Sequence, residues 1–267
     1  MPLASLTAID THCHAWDAAC AYIGGTAYLP AEPMPLSRLL AQWDAHDVQA
    51  GVLVQPSFLG IDNRYLLDAL EAHPRRLRGV VVPDPAADLA HIEAWHRLGV
   101  RGFRFNMISA RGLPDLRAPA WRDWISAAAR LGWHIVAAGS AMQLSAALPR
   151  LADTGLSLVL DHWALPDRRT GIEDPAWQAC LAHARDFPVW IKLSAPYRLG
   201  GLDAAALLPL IVQAVGGHRL LWGSDWPCTR HEDQRNFAAL RRLPASPLPN
   251  GQPLMRQCAA NAAELYA

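Results

Sequence analysis

Eight short apolar runs, each followed by a longer segment of helical spacing, constrain this chain more than any other feature. The runs are residues 8–11, 51–55, 78–82, 100–105, 134–138, 156–160, 189–193 and 220–222. Most are apolar on successive residues, as strands covered on both faces are, instead of alternating. The helical segments fall at 36–45, 63–72, 86–98, 120–131, 142–154, 175–187 and 203–215, with a last one at 254–266. Glycines 99, 132 and 155 follow three of them, where a helix hands over to a strand. Eight strand-then-helix units with right-handed parallel crossovers close most naturally into a (β/α)8 TIM barrel. The 267 residues suit one such barrel, so residues 1–267 are expected to form a single domain. A doubly wound sheet is disfavoured, because the first run leads into Asp10-Thr-His-Cys-His14 with no glycine-rich phosphate loop.

Charge and targeting signals narrow the function. The 24 basic and 24 acidic residues cancel, and no basic block marks a nucleic-acid or membrane-surface binder. The N-terminus lacks a basic n-region and an apolar h-region. Cys13, Cys20, Cys180, Cys228 and Cys258 are dispersed and odd in number, which reads as a reduced, cytoplasmic protein. A small molecule is the expected partner; oligomeric state is left open.

Barrel chemistry collects where strands end and the following loops begin. The first strand ends in His12 and His14, at i and i+2 and so on one side. The sixth ends Asp161-His162-Trp163 and the eighth Ser224-Asp225-Trp226-Pro227. The fourth delivers Arg104 and Asn106; the seventh delivers Lys192, Ser194, Tyr197 and Arg198. Three imidazoles and a carboxylate at one barrel mouth can bind a divalent metal, or act directly as base and carbonyl-polarising groups. Lys192 is the only lysine beside 23 arginines, which points to a role that a guanidinium does not fill: binding a carboxylate or holding Asp225 ionised. Ser57, Gln55 and Tyr197 are placed to orient substrate. Trp16, Trp163 and Trp226 are candidates to wall a pocket, while Trp43, Trp95, Trp121, Trp124, Trp133 and Trp177 read as packing residues.

Several motifs in order carry a family resemblance: His12-Cys-His14, Gly51-Val-Leu-Val-Gln-Pro-Ser57, Arg101-Gly-Phe-Arg-Phe-Asn106, Ile191-Lys-Leu-Ser-Ala-Pro-Tyr-Arg198 and Leu221-Trp-Gly-Ser-Asp-Trp-Pro227. Together they resemble the amidohydrolase superfamily, nearest the branch of 2-pyrone-4,6-dicarboxylate lactonase and related sugar and muconate lactonases. The resemblance implies a catabolic hydrolase that opens a cyclic ester. Asp225 would be the general base, His12, His14 and His162 would stabilise the oxyanion, and Arg104 and Arg198 would hold substrate carboxylates. Arg111, Arg168 and Arg230 are further candidates, and Lys192, Tyr197, Ser57 and Asn106 complete the expected substrate site. Superfamily metal sites usually add a histidine after strand five, where this chain reads Ala138-Gly-Ser140. No obligatory cofactor is therefore expected; a weakly bound divalent metal such as zinc would use His12, His14, His162 and Asp225. A metal-dependent decarboxylase of an aromatic acid is the alternative reaction, and a non-catalytic ligand-binding barrel the second alternative.

Overall fold

The computed structural model describes residues 3–23, 28–108, 112–244, 248 and 251–267. Eight parallel strands lie side by side in chain order: β1 (Ile9–Cys13), β2 (Ala50–Val54), β3 (Leu77–Val81), β4 (Val100–Asn106), β5 (His134–Ala138), β6 (Leu158–Leu160), β7 (Val189–Ser194) and β8 (Leu220–Gly223). The sheet curls until β1 meets β8. There the Thr11 hydroxyl donates to the Trp222 carbonyl (2.7 Å), the Asp225 N–H to the His12 carbonyl (2.8 Å) and the His14 N–H to the Trp226 carbonyl (2.8 Å). The result is a nearly closed (β/α)8 barrel, as the strand-helix alternation predicts.

Helices α1 (Leu36–Ala45), α2 (Arg64–Ala72), α3 (Ile92–Leu98), α4 (Pro119–Arg130), α5 (Ala141–Ala152), α6 (Pro175–Asp186) and α7 (Ala204–Val215) fill the crossovers; α8 (Phe237–Leu240) and α9 (Leu254–Leu265) follow β8. The expected helix at 86–98 is shorter than predicted. The Asp84 carboxylate accepts the N–H groups of Ala86 and Ala87, a local turn that competes with helix, and α3 starts only at Ile92 after a 3-10 turn. Strand β6 likewise begins at Leu158 and not at 156. Much of the proline-rich stretch at 243–253 lies outside the described residues. No helix among them is long and apolar enough to cross a membrane.

Strand period sorts the side chains into two layers. Outside the sheet, Trp43, Trp95, Trp124, Trp133 and Trp177 are buried between helices and strands, as expected. Inside, Ile9, Val52, Val54, Val80, Val136, Val159 and Leu221 form an apolar plug with Ala259, Ala262 and Tyr266 of the last helical segment. Above that plug the inward positions turn polar: Arg104 on β4, Asp161 after β6, Lys192 and Ser194 on β7. The plug therefore forms a floor, and the polar layer on it is the base of the site.

Candidate active site

A slip in pairing between β1 and β2 separates Asp10 from Cys13, and a bulge of this kind re-aims side chains. Ile9 stays in the apolar plug, whereas Asp10 turns out to meet the Trp43 indole N–H of α1 (3.1 Å). Asp10 also takes the Ser224 hydroxyl (2.6 Å) and N–H (2.8 Å), which fixes the turn that presents Asp225. Beyond the bulge, His12 and His14 face the mouth together, their rings 5.0 Å apart. The His12 ring is also 4.9 Å from that of His162. Gly223 makes this approach feasible, because a Cβ there would lie 2.5 Å from the Cβ of His12. His162 and Asp225 both hold left-handed backbone, at φ 53° and 56°. For residues with a Cβ such geometry costs about 1–3 kcal/mol each and concentrates at functional sites.

Asp225 is fully buried, and its two oxygens have different surroundings. Oδ2 accepts the Tyr197 hydroxyl (2.6 Å) and the Arg198 Nε–H (2.9 Å). Oδ1 has no hydrogen-bond partner and lies 3.4 Å from His12 Nε2 and 3.5 Å from His14 Nε2. Burial opposes charge on this carboxyl, but the Arg198 guanidinium against it holds it well below the usual carboxylate range. His14 Nδ1 lies 2.7 Å from the Val54 carbonyl, which only an N–H can satisfy, so its neutral tautomer turns an Nε2 lone pair to the site. The Nδ1 of His12 meets Asp161 (3.1 Å), which likewise leaves the Nε2 lone pair facing Asp225. His162 differs: its Nδ1 pairs with the Ser194 hydroxyl (2.9 Å), which can donate, so its Nε2 can carry the hydrogen. Burial lowers His162 to about 4 and His12 well below its ordinary value, so both rings are neutral.

Beneath His12 lies a buried charge cluster that the motifs do not reveal. Asp161 takes Lys192 Nζ (3.2 Å) and His12 Nδ1 on one oxygen and Arg104 Nη2 (3.2 Å) on the other. Lys192 is fully buried and does not border the cleft; it holds Asp161 and lies 3.3 Å from His12 Nδ1, instead of binding substrate or touching Asp225. Arg104 and Arg198 reach the cleft, but each is already paired with a carboxylate, so neither is a free clamp for substrate.

A cleft opens above these groups at the barrel mouth. His14, Ser57, Asn106, His162 and Asp225 line it. Tyr28, Phe58, Ile108 and Thr229 also line it and carried no signal in the sequence. Trp16, Trp163 and Trp226 do not: Trp16 packs edge-on against Phe58 and Trp226 against Phe237. Gln55 is buried with its amide on the Gly60 and Asp62 carbonyls (3.2 and 2.8 Å), and so shapes a loop. Arg168 packs against Gly200, away from the cleft, and Arg111 lies outside the described residues. A larger groove outside the barrel, between α4 and α5, is lined by exposed Arg117, Arg122 and Arg150 and holds no imidazole.

A divalent cation fits the donor set. His12, His14 and Asp225 place ligand atoms within 4.8 Å of one another, and the two atoms without hydrogen-bond partners, His12 Nε2 and Asp225 Oδ1, are among them. Both histidines are oriented from behind, by Asp161 and the Val54 carbonyl, as metal-binding imidazoles usually are. The end of β5 carries no histidine; Ser140 there caps α5 with Gln143.

A barrel with paired histidines after β1, a histidine after β6 and an aspartate after β8 defines a hydrolase of the amidohydrolase type. The chain belongs to the amidohydrolase family, whose profile matches residues 9–267. It is 28% identical to a 2-pyrone-4,6-dicarboxylate hydrolase of Comamonas testosteroni, over 82% of this chain and 76% of that one. It is 27% identical to a 4-sulfomuconolactone hydrolase of Rhizobium radiobacter, over 85% and 78%. The crystal structure of a 2-pyrone-4,6-dicarboxylic acid hydrolase homologue from Pseudomonas putida, assigned that activity provisionally, superposes with a TM-score of 0.79 at 37% identity, covering 88% of each chain. A 5-carboxyvanillate decarboxylase from Sphingomonas paucimobilis shares the fold at 15% identity (TM-score 0.60).

Proposed function

We propose that this protein hydrolyses a small lactone bearing an anionic substituent, with Asp225 as general base. The observation that carries the reading is the unpartnered Oδ1 of a buried, ionised Asp225, facing a cleft at the C-terminal end of the barrel. Tyr197 and Arg198 fix Oδ2, so the free oxygen keeps one orientation and can take a proton from a water seated against it. That water then attacks the ring carbonyl. The His162 N–H and the adjacent guanidinium of Arg198 stabilise the oxyanion that develops, before the ring C–O bond breaks and the proton passes to the leaving oxygen. With the Nδ1 of each ring given to Asp161 or the Val54 carbonyl, the neutral tautomers of His12 and His14 turn a lone pair to the site, so among the three histidines His162 is the chain's own oxyanion donor. A divalent metal held by His12, His14 and Asp225 would supply Lewis acidity and a more acidic water. The lactone hydrolases among its relatives support a cyclic ester as substrate, and the dispersed free cysteines support a cytoplasmic setting.

The test is hydrolysis of 2-pyrone-4,6-dicarboxylate and 4-sulfomuconolactone, with and without chelator, by wild type and Asp225→Asn. Ring opening by wild type and a loss of at least about 100-fold in the variant are expected. More than about a tenth of wild-type turnover in Asp225→Asn would remove it as the base. Loss on chelation, restored by zinc, would make the metal a required part of the site.

A further inference from the structure

Asp10 does not border the cleft, yet its fully buried carboxylate gathers donors from three elements around it. Oδ1 accepts the backbone N–H of His12 (3.2 Å) and of Ser224 (2.8 Å). Oδ2 accepts the Ser224 hydroxyl (2.6 Å) and the Trp43 indole N–H of α1 (3.1 Å). These donors fill the acceptor sites of a carboxylate, so its orientation is fixed. Trp43 reaches it across β2 only because Gly51 stands there: a Cβ would lie 2.5 Å from both the Asp10 carbonyl oxygen and the Trp43 ring.

What this carboxylate holds is the turn of Asp225. That residue keeps a left-handed backbone at φ 56°, a conformation that persists only where its surroundings over-determine it. Each N–H through the turn is tied: Ser224 to Asp10, Asp225 to the His12 carbonyl (2.8 Å), and Trp226 to the Ser224 hydroxyl oxygen (3.0 Å), which itself donates to Asp10. His12, whose own N–H rests on Asp10, is locked to the same carboxylate as the turn that bears the base. Tyr197 and Arg198 hold Asp225 by its side chain; this clasp holds it by its backbone.

We propose that Asp10, set in place by the Trp43 indole, is a positioning residue for the hydrolysis: through the Ser224 hydroxyl and the N–H groups of Ser224 and His12 it aligns the base and the first histidine together. The proposal rests on the lactone-hydrolase reading and adds to it a helix residue, far from the chemistry, whose one polar hydrogen bears on turnover. Asp10, Trp43 and Ser224 do not border the cleft, so disturbing them leaves substrate binding intact and misaligns Asp225 and His12 in the transition state. The loss therefore falls on kcat and not on KM.

The test compares kcat and KM of wild type, Asp10→Asn, Trp43→Phe and Trp124→Phe on 2-pyrone-4,6-dicarboxylate and 4-sulfomuconolactone. Asp10→Asn keeps the shape but turns an amide N–H toward groups that are themselves donors. Its kcat falls about 10- to 100-fold, with KM within about 3-fold of wild type. Trp43→Phe keeps an aromatic ring on α1 and removes the indole N–H, and its kcat falls about 3- to 10-fold. Trp124→Phe controls for packing, since that indole is equally buried and its N–H has no hydrogen-bond partner among the described residues. It lowers stability and leaves kcat unchanged. A loss seen in KM instead, an Asp10→Asn kcat within about 3-fold of wild type, or equal effects at Trp43 and Trp124 overturns the proposal. If Asp10→Asn does not fold, the two tryptophan variants decide. Should wild type open neither lactone, the hydrolase reading fails, and amide hydrogen exchange at Ser224 and Trp226 still tests the clasp. Exchange about 3-fold or more faster in Trp43→Phe than in Trp124→Phe upholds it; equal rates overturn it.

Discussion

Lys192 shows how a residue can be visible in the sequence while its purpose is not. Its isolation among arginines marks it as special, but its partners, Asp161 and His12, lie 31 and 180 positions away and become neighbours only when the barrel closes. Its compact ammonium reaches Asp161 and His12 in a fully buried place, as a point charge and not the planar fork of a guanidinium. The consequence is testable. Lys192→Met leaves Asp161 with Arg104 and the His12 imidazole and should cost about 3–5 kcal/mol in urea unfolding, the usual penalty for breaking a buried pair. It should also lower kcat, because the Asp161 that orients His12 loses a partner. Removing the stranded carboxylate as well, in Lys192→Met/Asp161→Asn, should recover part of the stability but not the activity. Full additivity of the two losses would show that the pair is not coupled. The strand-end positions of His12, His14, His162 and Asp225 were legible from motif and strand order. The saturation of Arg104 and Arg198 by carboxylates was not, because nothing local in the chain encodes it.

At the scale of elements, the eight strands were legible because strands buried on both faces are apolar throughout. Boundaries strayed where local polar groups intervene, as Asp84 does ahead of α3. The β1–β8 seam was the least legible part, yet it sets the site. A Cβ at Gly223 would come within 2.9 Å of the His12 backbone nitrogen as well as 2.5 Å of its Cβ, so the two strands can pack this closely only over a glycine. Gly223→Ala should cost about 1–3 kcal/mol as an overpacking change and reduce kcat/KM far more than that loss explains, since His12 must shift. Ser140→Ala supplies the comparison: it removes the α5 cap, costing about 1 kcal/mol, without moving His12. If both variants lost activity in proportion to their stability, the seam would not be what places His12.

The whole molecule should respond to pH through groups it buries in the wrong charge state for acid. Burial holds His162 at about 4, His134 at about 3 and His12 well below its ordinary value, so all three are neutral in the folded chain. The unfolded chain protonates each below about pH 6.5. Folding stability is therefore complete above that pH, with respect to these groups, and is lost as the pH falls toward 4. Asp10 works the other way: burial pushes it up to about 6, so the folded chain keeps a proton that the unfolded chain releases above about pH 4. Its contribution is present at low pH and lost as the pH rises through 6. Near pH 5 the unfolded state thus holds three protons that the native state lacks and misses one that it keeps, a net difference of about two. Stability should fall by roughly 2–3 kcal/mol per pH unit on acidification through that window, read as urea midpoints between pH 4.5 and 7. His134→Phe removes one of the three groups without touching the cleft, because that ring lies against Tyr266 in the barrel floor. The slope should then drop by about 1.4 kcal/mol per pH unit. A slope near zero in the wild type would mean that the buried histidines take up protons in the folded state. The neutral imidazoles on which the site's chemistry depends would then be lost at the same pH.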